Sequence, residues 1–371
     1  MITLEQLQIQ TALVLGLTFL LATLAGALFH RTHFCTMGAI SDGVVMGDFT
    51  RARQWVLAVA VAALGFGVMA WQGLINPNNT IYAGQQLSWL SLMLGGAFFG
   101  SGMVLASGCV SKSLVRVGAG NLKSLVVLMA VGISALAAMR GLVAIWRVKS
   151  LDQVTVGTGA GPFVGQWLSS YTGLSQPLAW LLAAVLFAGL LCLWVFKDRQ
   201  LMRWPNMAPG LGVGLVVVAF WWIAGVMGFV AEHPETLEPV FLGSASGRME
   251  AISLTAPVAL WWDALMYLSD GSKRLTLGMM TVLGLALGSF ISAKQQGSFR
   301  WEGFTQTSDL TLHLFGGCLM GVGGVMALGC TVGQGLSGLS TLSLGSFVAI
   351  SGIVLGAVVA LNWQMRRAES V

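Results

Sequence analysis

Nine stretches of this chain are each long and apolar enough to cross a bilayer, and no other feature constrains the fold as strongly. They lie near 11–29, 54–75, 87–107, 122–146, 177–196, 210–230, 274–293, 311–329 and 343–364. A bilayer core needs about 20 helical residues to span it, and hydrocarbon offers no partner to a bare backbone N–H or C=O. Each stretch is therefore expected as an α-helix. Composition agrees: 56% of the 371 residues are hydrophobic, 9% are charged, and the mean hydropathy is +0.81. A soluble domain carries about a quarter charged residues. A cytosolic enzyme, a disordered chain and a disulfide-rich secreted module are excluded. The 49 glycines and 14 tryptophans suit close helix packing and interfacial anchoring. The expected fold is an all-α integral membrane protein, with residues 1–371 forming a single polytopic membrane domain. Glu5 and the lack of a basic start argue against a cleaved signal peptide.

Four further segments, 34–50, 108–120, 247–268 and 330–342, are too short, too glycine-rich or too flanked by charge to span. They read as re-entrant short helices, which membranes tolerate only when buried in protein or lining a wet cavity. Positive residues favour cytoplasmic loops. With the N-terminus outside and the C-terminus cytoplasmic, Arg31, Arg51, Arg53, Lys112, Arg116, Lys123, Lys197, Arg199, Arg203, Lys294, Arg300, Arg366 and Arg367 fall inside. Glu232, Glu235 and Glu238 fall outside, and Arg147, Lys149, Lys273 and Arg274 are exceptions. The formal charge of +5 is spread, with no basic run to track phosphates, so nucleic acid is not an expected partner.

The chain also repeats itself. Leu94-Gly95-Gly96-Ala97-Phe98-Phe99-Gly100-Ser101-Gly102 leads to Gly108-Cys109, and Phe315-Gly316-Gly317-Cys318-Leu319-Met320-Gly321-Val322-Gly323 leads to Gly329-Cys330. Ala39-Ile40-Ser41 has an echo in Ala251-Ile252-Ser253. The halves 11–146 and 210–364 share the order span, short segment, span, span, short segment, span, with 177–196 as a linking helix. An odd number of crossings separates matching elements, so the halves are expected to be inverted, a recurring transporter plan.

Chemistry concentrates in the short segments. A helix beginning at Cys109 or Cys330, after Gly108 or Gly329, would aim free N–H groups and a positive dipole end at an anion. Arg31 and His33 precede Cys35, Lys112 and Arg116 follow Cys109, Gln334 follows Cys330, and Arg248 opens the third segment. A thiol is a weak, polarizable donor that can hold a soft anion without trapping it, while basic groups serve better as attractors at the mouths. Cys192 and Cys318 read as apolar fillers, and Asp42 and Glu250 as loop ties. The five cysteines form no CxxC pair, and no GxxxxGK[ST] loop occurs. The sequence points to no metal, no cofactor and no catalytic residue. A membrane thiol oxidoreductase or persulfide-transfer protein stays open as an alternative.

Phe34-Cys35-Thr36 after Arg31, the glycine-rich approaches to Cys109 and Cys330, and Gly288-Ser289-Phe290-Ile291-Ser292-Ala293-Lys294 resemble the YeeE/YedE sulfur-transport family over about residues 15–360. The resemblance implies an hourglass-shaped bundle in the bacterial inner membrane that takes up thiosulfate or a related sulfur or selenium anion. It further implies a relay of the anion along Cys330, Cys109 and Cys35, and a small TusA-like sulfur carrier on the cytoplasmic side. Surrounding lipid is the other expected partner. On this expectation Arg248 attracts the anion outside, and Arg31, Lys112 and Arg116 attract it at the inner exit. His33, Gly108, Gly329 and Gln334 support the path. The chain departs from the family pattern at His33, where arginine is usual, and at Lys112, where a small residue is common. Ser107 and Leu328 each replace a glycine.

Overall fold

The computed structural model describes residues 3–198, 201–267, 274–304 and 306–369. Arg199, Lys273 and the last residue of the 247–268 segment lie outside these. The described chain is helical almost throughout: α1 (Leu4–Thr32), α2 (Thr36–Ser41), α3 (Thr50–Trp71), α4 (Trp89–Leu105), α5 (Val110–Gly118), α6 (Leu122–Arg140), α7 (Leu142–Lys149), α8 (Val164–Thr172), α9 (Gln176–Val195), α10 (Trp204–Trp222), α11 (Thr255–Met266), α12 (Leu277–Gln295), α13 (Thr307–Met326) and α14 (Leu344–Glu369). Two antiparallel ladders of two-residue strands, Gln86–Leu87 with Val156–Gly157 and Phe229–Val230 with Val240–Phe241, tie loops together. Each of the nine apolar stretches is a helix of spanning length among the described residues. The chain is an all-α, multi-pass membrane protein.

The four short segments differ in form. In the first, α2 runs into a π-helical turn, Asp42–Met46; in the second, α5 is a regular nine-residue helix. The third is non-helical up to Leu254 and then forms α11, while the fourth is a π-helical turn, Gly333–Gly338. The echo of Ala39-Ile40-Ser41 in Ala251-Ile252-Ser253 has no structural counterpart. The first triplet lies inside α2 and the second precedes α11. The residues in equivalent places are Cys35 and Leu254, each the N-cap of its short helix.

Glycine sets the helix spacing. α4 and α13 run antiparallel in direct contact, with Gly95 against Met326 and Gly102 against the carbonyl of Gly316. A Cβ at Gly96 or Gly100 would collide with the carbonyls of Ala349 and Ile353 on α14. At Gly317 and Gly321 it would press on the carbonyls of Val127 and Val131 on α6. In the same way α1 packs on α12 and α10 on α3. Exchanging the elements of one half for those of the other leaves this pairing unchanged. The linking helix α9 stands outside it, packed on α3. An ion pair at 3.0 Å between exposed Arg140 and buried Asp263 ties α6 to α11.

Helices α4 and α13 end alike. Ser107 has φ 55° and Leu328 has φ 54°, both left-handed, which favours glycine because it lacks a Cβ to clash with the following carbonyl. Leu328 is 57% exposed, so its side chain contributes little packing. Leu328→Gly is expected to stabilise the protein by about 1 kcal/mol, seen as a raised thermal unfolding midpoint in detergent. Gly100→Leu is expected to abolish folded protein in the membrane fraction, because the α14 backbone occupies that space.

Candidate anion pathway

Three buried cysteines begin three short helical segments. Cys35, Cys109 and Cys330 are 7%, 0% and 1% exposed. The first N–H groups of a helix have no acceptor within it, and leaving them bare when buried is costly. Sulfur fills the role: Gly38 N–H donates to Cys35 Sγ and Gly333 N–H to Cys330 Sγ, each at 3.4 Å. Cys109 Sγ lies 3.1 Å from Ser111 Oγ. The thiols of Cys35 and Cys109 lie near enough to influence one another electrostatically. Fully buried Thr331 lies beside Cys109, and its hydroxyl has no hydrogen-bond partner. The backbone N–H of Leu254 points at Cys330, the place that Cys35 takes beside Cys109.

Cavities open at the two ends of α4 and α13. The larger, about 620 Å³, has Phe34 and Cys35 in its wall. Arg51, Lys112, Arg116, Lys123 and Arg300 line it, together with His30, His33 and His313, against the carboxylates Glu302 and Asp309. Asp309 is held by Lys123 at 2.9 Å, and Glu302 accepts from Asn121 at 2.6 Å. Arg116 donates to the carbonyl of Ser107 at 3.0 Å, bracing the turn before Cys109. Lys112 has no carboxylate partner among the described residues, and its charge acts on Cys35. The aliphatic part of Lys112 runs past Gly108, where a Cβ would crowd it.

The smaller cavity, about 180 Å³, is lined by Tyr82, Ser91, Arg147, Leu328, Gln334 and Ser346 among others. Gln334 is 1% exposed; its Nε2 donates to the carbonyl of Ala327 and its Oε1 accepts from Ser346, both at 2.6 Å. It packs against Gly329. Tyr82 donates to the carbonyl of Gly333 at 2.5 Å, holding the turn that follows Cys330. Arg147 Nε forms an ion pair with Asp152 at 3.5 Å, without hydrogen-bond geometry.

Of the residues singled out in the sequence, Cys35, Cys109, Cys330, His33, Lys112, Arg116, Gly108, Gly329 and Gln334 come together along this line. Arg31 does not join them; it donates to Gln295 at 2.7 Å on the surface. Arg248 is exposed on a loop, where its own carbonyl accepts from Ser244 at 2.6 Å. Asp42 pairs with Arg51 at 3.3 Å. Burial pushes the Glu250 carboxyl above its ordinary range, although the Ala245 N–H donates to it at 2.8 Å. Cys192 is half-buried and Cys318 exposed, both away from the line. Arg147, Thr331 and Tyr82 were missed. Arg147 carried a signal, since it sat on the wrong side of the charge rule; Thr331 and Tyr82 carried none. Among the described residues no three His, Cys, Asp or Glu side chains converge as a metal site.

Fold and site together define a polytopic membrane protein in which three buried thiols separate two polar cavities. A family model described as sulphur transport matches residues 31–359, and the chain belongs to that family. It is 26% identical over 353 residues to the thiosulfate transporter TsuA of Escherichia coli K12, covering 92% of this chain and 91% of that one. It is 27% identical over 366 residues to the thiosulfate transporter TsuA of Spirochaeta thermophila, covering 96% and 98%.

Replacing Gln334 by Leu would leave the Ser346 hydroxyl and the Ala327 carbonyl buried without their partner. A loss of about 1–3 kcal/mol is expected, measured as a lowered unfolding midpoint in detergent.

Proposed function

We propose that this protein carries thiosulfate, or a closely related sulfur anion, across a bacterial inner membrane into the cell, as a transporter and not as an enzyme. The observation that carries this reading is the line Cys330, Thr331, Cys109, Cys35 between cavities at opposite ends of α4 and α13. Relatives matched along almost their whole length are named thiosulfate transporters. Thiols can donate S–H to a passing sulfur anion in short steps, and weak sequential sites favour release as well as binding. Thr331 supplies a buried hydroxyl beside Cys109 that has no hydrogen-bond partner of its own.

The halves 11–146 and 210–364 act as inverted repeats around this line, with the N-terminus outside and the C-terminus inside. The larger, basic cavity then faces the cytoplasm. Lys112 and Arg116 attract the anion there, and a TusA-like carrier collects it at that mouth. The smaller cavity faces outward, and Arg147, ion-paired with Asp152 at its wall, is the capturing charge. Arg248 and Arg31 contribute only long-range attraction from the two surfaces. A second reading follows from the nearness of Cys35 to Cys109: a thiol-exchange protein that passes sulfane sulfur between these two groups.

The test is uptake of sulfur-labelled thiosulfate into cells lacking other routes, at matched membrane levels of each variant. Cys109→Ala and Cys330→Ala are each expected to lower uptake at least tenfold. Uptake that survives both substitutions would sink the relay. Uptake that survives while thiol exchange with a persulfide donor is lost would install the second reading. Arg147→Gln is expected to raise the half-saturating thiosulfate concentration several-fold, and more at low salt, since a mouth charge acts mainly on capture. An unchanged concentration dependence would remove Arg147 from the path.

A further inference from the structure

A groove on the lipid-facing side of the bundle has the layered chemistry of a phospholipid. It lies between α2 with its π-turn, α3, α9 and α14, has a volume of about 420 Å³, and is walled by side chains such as Ile40, Val44, Ile353 and Val354. Phe49 and Trp194 line it and also line a second recess of about 540 Å³ that holds Arg53, Lys197 and Asp198. The two spaces therefore adjoin, one apolar and the other charged.

Two buried donors along this course have no partner: Trp55 Nε1 in the groove and Arg53 Nε at its charged end. A buried N–H without an acceptor is costly, so most such groups in folded proteins have one. The rest of the Arg53 guanidinium is fixed. It pairs through Nη1 with Asp198 and lies over the Trp194 ring, 5.4 Å from its centroid. The Nε is thus held in place with nothing to receive it. Lys197 is exposed beside it and adds a positive charge that the single Asp198 carboxylate does not offset.

We propose that this groove binds an anionic glycerophospholipid. An acyl chain fills the apolar part, an ester carbonyl accepts from Trp55 Nε1, and the phosphate accepts from Arg53 Nε and pairs with Lys197. The order of chemistry from groove to recess, apolar wall then neutral donor then cation, is the order of a lipid from tail to headgroup. A second protein chain would bring its own backbone, already hydrogen-bonded in a helix, and so offers no acceptor to either N–H. The site also reaches the transport path, because α2 forms one wall of the groove and Cys35 is the N-cap of α2. The groove stands whatever anion the protein carries.

The experiment is native mass spectrometry of the full chain, released from detergent with phosphatidylglycerol or phosphatidylcholine of identical chains. The expected result is retention of one phosphatidylglycerol with at least tenfold preference over phosphatidylcholine. Lys197→Gln should lower that preference about fivefold, the share of one juxtamembrane cation. Val354→Trp, which fills the groove and leaves the cations alone, should abolish retention of both lipids. Should that variant fail to fold, Lys197→Gln on the exposed surface still decides. Equal retention of the two lipids, an unchanged preference in Lys197→Gln, or unchanged retention in folded Val354→Trp would overturn the proposal. Displacement by glycerol phosphate alone would show a free anion site and overturn it too.

Discussion

Where α4 crosses α13, the two backbones touch because glycine stands at every contact that matters: Gly95, Gly102, Gly316 and Gly323. Dispersion at that separation is what holds helices together in lipid, since no hydrophobic force remains to do so. The contact also decides where both helices stop. Each ends in a left-handed residue, Ser107 or Leu328, and each is followed by Gly-Cys. The cysteines therefore sit where they do because two helices are pinned by their glycines. Any side chain that pushed α4 and α13 apart would move Cys109 and Cys330 along with them.

A break in a helix at this depth exposes N–H groups that neither water nor lipid can satisfy. In this protein sulfur satisfies part of the demand, through Gly38 onto Cys35 and Gly333 onto Cys330. A thiol accepts weakly. It leaves the N–H groups partly available, and it keeps its own proton to offer. A carboxylate in the same place would satisfy the backbone fully and repel an anion; an ammonium would hold the anion fast. Full charges stand in the two cavities instead, most of them in the larger. The basic side chains around the larger cavity outnumber the carboxylates, and the two carboxylates are themselves held by Lys123 and Asn121.

Much of this was legible in the chain. Spans are readable because the bilayer imposes one length and one polarity on all of them. The Gly-Cys register is readable because tight packing leaves glycine at fixed spacing, and both marks survive side-chain drift elsewhere. The second-half partner of α2 was not readable. Ala251-Ile252-Ser253 resembles Ala39-Ile40-Ser41 letter for letter, but tertiary packing sets the residue that caps a short helix, and that residue is Leu254. Arg31 and Arg248 were placed near the path by proximity in sequence. Arg31, on the last turn of α1, points across to Gln295 on α12. Thr331 and Tyr82 look like ordinary polar residues until the loops that carry them are folded against Cys109 and Gly333.

Leu254 occupies the one place in the fourfold set of caps that lacks a thiol, and it is fully buried beside Cys330. Its side chain has no polar atom, so only its backbone N–H faces the line. A backbone N–H neither oxidises nor exchanges sulfur, and no substitution short of proline removes it. On the proposed pathway, an oxidant that disables the three thiols would leave this one donor as it was.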